Sequence, residues 1–264
     1  MMYDHSRMPP RPSSPYLDLV WEMTRGEIKL RDQGTALGFL WTLLHPALMF
    51  AVLYGLFSKW VGHRVEGYMT YLLIGLVLWN FFQKGTAYAL GSFRRFRGMV
   101  LNYRFPREIV VFASVGAVLG SSLMEMCVML AVVLGLGARP SASWLLLPVV
   151  FLLEVLLVVG VGLFLAVLSV EFQDLERIWE VLTSALFYLT PIFYPLDIIS
   201  PEKRRLLGFN PLGRVIEAFR DAVAGRLPNA EICVLLLAGG VILCAAGVSH
   251  VRRRQYALAD KLLV

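Results

Sequence analysis

Long apolar runs separated by short polar ones occupy most of this chain. They cover residues 36–58, 68–90, 109–134, 144–170, 178–194 and 232–249. Each is near the ~20 residues that a helix needs to cross a ~30 Å hydrocarbon core. The pattern predicts an all-α integral membrane protein with six transmembrane helices. Ahead of them, Leu17, Val20, Trp21, Thr24 and Ile28 recur on one helical face, while Asp18, Glu22, Arg25, Lys29 and Asp32 fall on the other. With Ser14 as cap and Pro15 at the first helical position, residues 16–33 read as an amphipathic helix in the membrane interface, anchored by Trp21. Residues 1–15 carry four prolines, Arg7 and Arg11 without an apolar segment, so a disordered tail is expected there and not a cleavable signal. The spans with their connections form one domain over 36–254, followed by a short C-terminus, 255–264.

The pattern fails in one place. Between Leu189 and Arg226 an apolar run is interrupted by Pro191 and Pro195, and reaches Asn210 and Pro211 before a helical period resumes. Unpaired backbone groups cost several kcal/mol each in lipid, so a broken span is tolerated where protein buries it or water reaches it. Asn210 as cap, Pro211 at the first helical position and the stripe Leu212, Val215, Ile216, Phe219 and Val223 predict a short helix, one of the external re-entrant helices before the last span.

Composition agrees with a lipid environment: 58% of the 264 residues are hydrophobic. The net charge of +6 reads as the basic excess of cytoplasmic loops and not as nucleic-acid binding. Five Lys and Arg precede the first span, five lie between Arg94 and Arg107 and four follow the last span, against Lys59, Arg64 and Arg139 in the two short opposite loops. Both termini are therefore expected in the cytoplasm. The six basic residues after the fifth span run against the count, but long external segments weigh less in it.

Polar residues inside the spans are the candidate chemistry. Gln83, Lys84, Glu125, Glu154 and Glu180 are costly there unless paired or hydrated, and they mark either a wet pathway or helix-to-helix pairs. A Lys84–Glu125 pair is expected from their depths. Gly116 and Gly120 with neighbouring serines, and Gly160 with Gly162, predict close helix packing. Cys127, Cys233 and Cys244 lie in apolar runs without metal-ligand spacing, and neither a phosphate loop nor a Ser/His/Asp arrangement is present. No cofactor or metal is expected in this chain, and it is not read as an enzyme.

Several blocks together resemble type 2 ATP-binding-cassette export permeases. Arg31, Thr35, Leu37, Gly38 and Trp41, followed by Pro46, are similar to that family's entrance to the first span. The 97–107 loop with Phe105 and Pro106 resembles its coupling segment. Thr190, Pro191, Ile192, Tyr194 and Pro195, then Asn210, Pro211 and Leu212, resemble its S-P-I-x-Y-P and N-P-L elements, and Arg220 stands where the family has an Arg. Asp32 and the 171–174 segment depart from the pattern, where an aromatic residue and an Arg-Asp pair are usual.

The resemblance implies a homodimer of permeases on two cytoplasmic ATP-binding subunits, which hold the ATP and Mg. It implies export of lipid-linked polysaccharide, as O-antigen or capsule, across the bacterial inner membrane. Teichoic acid export is the alternative, then an ion-coupled transporter or channel using Lys84, Glu125 and Glu154. Arg97, Asn102, Arg104, Pro106 and Arg107 would form the ATPase-coupling loop, which on charge alone is also an ordinary basic loop. Phe187, Tyr188, Phe193 and Tyr194 are candidates for a channel lining, since sugar rings offer apolar C–H faces to aromatic rings. Pro191, Pro195, Asn210, Pro211 and Arg220 would form an external gate. Arg25, Lys29 and Arg31 suit a lipid pyrophosphate head, and attraction to anionic membrane lipids explains them as well.

Overall fold

The computed structural model describes residues 15–32 and 40–263. The predicted tail over 1–14, the first residues of the first span and the motif residues Thr35, Leu37 and Gly38 lie outside the described residues. All regular structure among the described residues is helical: α1 (Pro15–Asp32), α2 (Leu40–Val61), α3 (Tyr68–Leu90), α4 (Ser92–Arg95), α5 (Arg97–Asn102), α6 (Glu108–Gly135), α7 (Leu147–Glu171), α8 (Leu175–Leu189), α9 (Pro201–Gly208), α10 (Pro211–Val223) and α11 (Ala230–Leu263). Short 3-10 turns occupy Ala142–Leu146 and Leu196–Ile198.

Four helical stretches among the described residues are long and apolar enough to cross a membrane: Leu43–Val61, Glu108–Gly135, Ala142–Glu171 and Ala230–Gln255. The predicted second span is α3, a helix over the expected 68–90 and the centre of the bundle, packed on α2, α6, α7, α8 and α10. Its burial among other helices allows it to carry Asn80, Gln83 and Lys84. The predicted fifth span is shorter than expected. The helix stops at Leu189, Thr190 is extended, and Pro191 and Pro195 follow before the chain turns into α9 and α10. At ~1.5 Å per residue, α8 reaches only about 22 Å. In contrast, α11 runs on without a break past residue 254 to Leu263.

The loops sort to two ends of the bundle. At one end lie α1, α4, α5, the α7–α8 link and the last turns of α11. There Arg252 pairs with Glu108 at 2.5 Å, Arg254 with Glu171 at 2.8 Å, and Arg94 with Glu176 at 3.2 Å. At the other end Ser143 Oγ and Trp144 Nε1 donate to the Ala222 and Val223 carbonyls at 2.6 and 3.1 Å, fastening the α6–α7 loop to α10.

Glycines let the helices approach closely, as their grouping predicts. A Cβ on Gly160 would sit 2.7 Å from Leu243 of α11, and one on Gly162 would sit 2.5 Å from Ala89 of α3. Gly116 and Gly120 of α6 instead face Thr24 and Ile28 of α1 at 3.0 and 3.6 Å. Advancing four residues on α1 advances about four on α6, so the two helices run side by side in the same direction. The buried stripe of α1 is Met23, Thr24 and Glu27, while Leu17 and Trp21, expected on one face with Thr24, stay exposed.

Gly160→Val should lower stability by about 1–3 kcal/mol through overpacking against Leu243. Gly239→Ala, with open space at its Cβ, should leave the melting temperature of the detergent-solubilised protein nearly unchanged. Equal melting of the two variants would refute close α7–α11 packing.

Candidate functional site

The broken segment is held by its backbone. Four consecutive carbonyls, Pro191 to Tyr194, lose the helical partners they would have had, and side chains of α3 and α10 replace them. Arg220 Nη1 and Nη2 donate to the Pro191 and Ile192 carbonyls at 2.9 and 2.8 Å, and its Nε to the Tyr71 carbonyl at 3.1 Å. Tyr68 Oη donates to the Phe193 carbonyl at 2.9 Å and Tyr71 Oη to that of Tyr194 at 3.0 Å. The guanidinium also lies over the Tyr71 ring, 3.3 Å from its centroid. A buried Arg is tolerable because its fixed fork meets three acceptors at once.

Local sequence positions each part. Asn210 caps α10, its Oδ1 accepting from the Leu212 and Gly213 N–H groups at 3.1 and 3.3 Å, while its Nδ2 donates to Thr190 Oγ1 at 2.9 Å. The apolar stripe predicted for α10 is fully buried and aims Arg220 inward. Gly75 makes room for it, since a Cβ there would meet Arg220 Nη2 at 2.6 Å. Pro191, Asn210 and Arg220 thus come together as expected. Pro195 borders the adjoining cleft, and Pro211 opens α10 on its exposed side.

The four candidate lining aromatics also come together. Phe193 is 4.9 Å from Phe57, 5.9 Å from Phe187 and 4.9 Å from Tyr194, centroid to centroid, and Phe187 is 5.5 Å from Trp79. Phe187 is buried in this cluster, whereas Tyr188 is 65% exposed. Beside them a space of about 130 Å³ is bounded by His45, Asn80, Gln83, Ser184 and the rings of Trp79 and Tyr188. Gln83 also borders a second space of about 380 Å³, toward the charged end, with Tyr88, Trp179, Glu180 and Arg95. Both spaces lie along α3 and α8, share Gln83 and are bounded by a mixture of rings and polar side chains.

Inside the bundle the expected Lys84–Glu125 pair is present, Nζ to Oε1 at 3.1 Å, with Glu125 only 2% exposed. Asn80 Nδ2 completes it, donating to Oε2 at 2.6 Å. Its position four residues before Lys84, on the same helical face, was the available signal for this partner. Glu154 is fully buried in α7 and bonds neither of them.

At the charged end, fully buried Phe93 and Val100 anchor α4 and α5. Arg97, Asn102, Arg104 and Pro106 are exposed beyond them. Arg107 is half-buried, its Nη1 donating to the Tyr103 carbonyl at 3.0 Å, and burial lowers its pKa from the usual guanidinium value. Arg95, outside the expected set, joins the loop to α1: it pairs with buried Glu27 at 3.5 Å and donates to Ser114 Oγ at 3.1 Å. Arg25 and Lys29 are exposed on α1, and the Arg31 side chain lies outside the described residues.

A family model described as "ABC-2 type transporter" matches residues 18–223. The O-antigen export system permease protein RfbA of Klebsiella pneumoniae is 28% identical over 249 residues, covering 93% of this chain and 95% of that protein. RfbA of Myxococcus xanthus is 28% identical over 247 residues, covering 92% and 95%. The polysialic acid transport protein KpsM of Escherichia coli is 26% identical over 202 residues, covering 75% and 78%.

Arg220→Met should cost about 1–3 kcal/mol for each carbonyl left unpaired, and Arg220→Lys should recover only part of the loss because it lacks the fork. Melting temperatures equal to the parent protein would show that the guanidinium does not hold the segment. For the buried pair, a double-mutant cycle with Lys84→Ala and Glu125→Ala should give a coupling of about 0.5–3 kcal/mol. Purely additive losses would rule the pair out.

Proposed function

The chain belongs to the ABC-2 type transporter family, and on that premise we propose that it is the permease subunit of an ATP-driven exporter moving lipid-linked polysaccharide across the bacterial inner membrane. The observation that carries the substrate class is the lining of the two spaces along α3 and α8. Its rings can stack on the apolar C–H faces of sugars, and Asn80, Gln83 and Ser184 can bond their hydroxyls, a combination that fits a carbohydrate polymer better than an ion. Similarity over more than nine-tenths of the chain to O-antigen permeases supports the same substrate class, with capsule polymers next and teichoic acid after them. An ion-coupled relay is disfavoured, because Lys84 and Glu125 neutralise each other and Glu154 bonds neither.

In this reading the protein crosses the membrane six times, with α3 and α8 completing the four apolar stretches. α3 is shielded by its neighbours, and α8 ends part-way through the bilayer, where the latched segment continues to the outer face. The charged end, with both termini, faces the cytoplasm under the positive-inside rule. α1 lies along the cytoplasmic end of α6 with Leu17 and Trp21 toward lipid, where Arg25 and Lys29 meet anionic head groups. Two permeases pair as a homodimer, and the exposed residues Arg97, Asn102 and Arg104 dock the ATP-binding subunits. Nucleotide hydrolysis belongs to those subunits, and its stroke reaches α1 through the Arg95–Glu27 pair. The gate is the segment held by Arg220.

Deleting the gene should leave lipid-linked polymer inside the cell and remove it from the surface. Unaltered surface glycan would overturn the assignment. Arg104→Glu should reduce co-purification of the ATP-binding subunit about tenfold or more, the effect of losing one charge-assisted contact and adding a repulsive one. Full co-purification and unchanged transport-stimulated ATPase would exclude the loop as the docking surface.

A further inference from the structure

At the end of the bundle away from α1, the space between α9, α10 and the turn at Leu196–Ile198 is a cleft of about 740 Å³. Five arginines and three carboxylates line it, an excess of two positive charges. Each carboxylate already has a partner. Asp197 pairs with Arg204, Glu217 with Arg214 at 3.1 Å, and Asp221 with Arg226 at 2.7 Å. Arg220 gives its N–H groups to backbone carbonyls, which carry no neutralising charge. Arg205 is exposed and has no ion pair among the described residues. Among the described lining residues the unneutralised charge therefore sits on exposed Arg205 and buried Arg220.

A concave wall with a surplus of one sign concentrates counter-ions of the other. Guanidinium forks match phosphate oxygens in pairs, and a phosphate can bond several of them at once. Apolar side chains join the lining: Phe209 is 84% exposed, and Pro195 and Leu196 border the same cleft. An exposed aromatic beside an arginine-lined cleft is a footing for the hydrocarbon that a phosphate ester carries.

We propose that this cleft is a binding site for a phosphate ester, with Arg205 as the free cation that meets the phosphate, Arg204 and Arg226 able to turn from their carboxylates toward it, and Phe209 as the apolar part of the lining. The site is separate from the two spaces along α3 and α8, and does not depend on the transport reading. The ester can come from a membrane phospholipid head group or from a soluble molecule, and the two sources are separable by experiment.

The full-length protein in a non-ionic detergent is titrated with dihexanoyl phosphatidylglycerol and, separately, with glycerol 3-phosphate, and binding is followed by calorimetry. The site requires saturable binding of at least one probe, weakened about tenfold or more by Arg205→Glu, as expected for loss of one charge-assisted contact, and largely kept by Arg205→Lys. Because Arg205 is exposed, its variants should melt with the parent protein. Tighter binding of the lipid, lost in Phe209→Ala, identifies a head-group site; equal binding of both probes, insensitive to Phe209→Ala, identifies a soluble ester. Absence of saturable binding for both probes, or binding unchanged in Arg205→Glu, overturns the proposal.

Discussion

A peptide carbonyl in hydrocarbon must find a donor within the protein, and this requirement organises the far end of the molecule. The chain leaves its helix at Leu189, and the four carbonyls from Pro191 to Tyr194 are met by Arg220, Tyr68 and Tyr71. Much else follows from holding those donors in place. Gly75 lacks a side chain so that the guanidinium has space, Asn210 both starts α10 and grips Thr190, and the fully apolar stripe of α10 is what points Arg220 inward. The α6–α7 loop then binds the end of α10 through Ser143 and Trp144.

The near end is organised by charge. Glu27 and Glu176 take Arg95 and Arg94 of α4, and Glu108 and Glu171 take Arg252 and Arg254 of α11, so these four contacts tie α1 and α8 to α4 and tie α6 and α7 to the end of α11. Individually such pairs are worth little when exposed. Glu27 and Glu108 are buried, however, and a buried carboxylate that loses its partner is costly, so these two set the positions of α1 and α11 firmly.

The helices were legible because a backbone in lipid has few solutions, so an apolar run of sufficient length is nearly a structural statement. The run at 109–134 became Glu108–Gly135, and the prolines that broke the fifth run stopped α8 in fact. The Asn210 cap and the α10 stripe were equally plain, since both are local. What escaped was non-local or depended on which way an apolar face turns. Leu17 and Trp21 are apolar but look outward, since periodicity alone does not say which part of an apolar face a neighbouring helix covers. Glu27 was unreadable as a buried residue without Arg95, 68 positions away. Tyr68 and Tyr71 have the look of an interfacial belt, and only the fold brings carbonyls of residues 193 and 194 to their hydroxyls.

The donors at the latch bond main-chain oxygens, so this part of the grip does not read the side chains of residues 191 to 194. Packing makes its own separate demand, since Ile192 is fully buried and Phe193 lies against Phe57, Phe187 and Tyr194. Anchorage of the backbone and packing of the side chains are therefore written in separate alphabets. Substitutions at Phe193 and Tyr194 can reshape the aromatic cluster while the bonds to their two carbonyls persist.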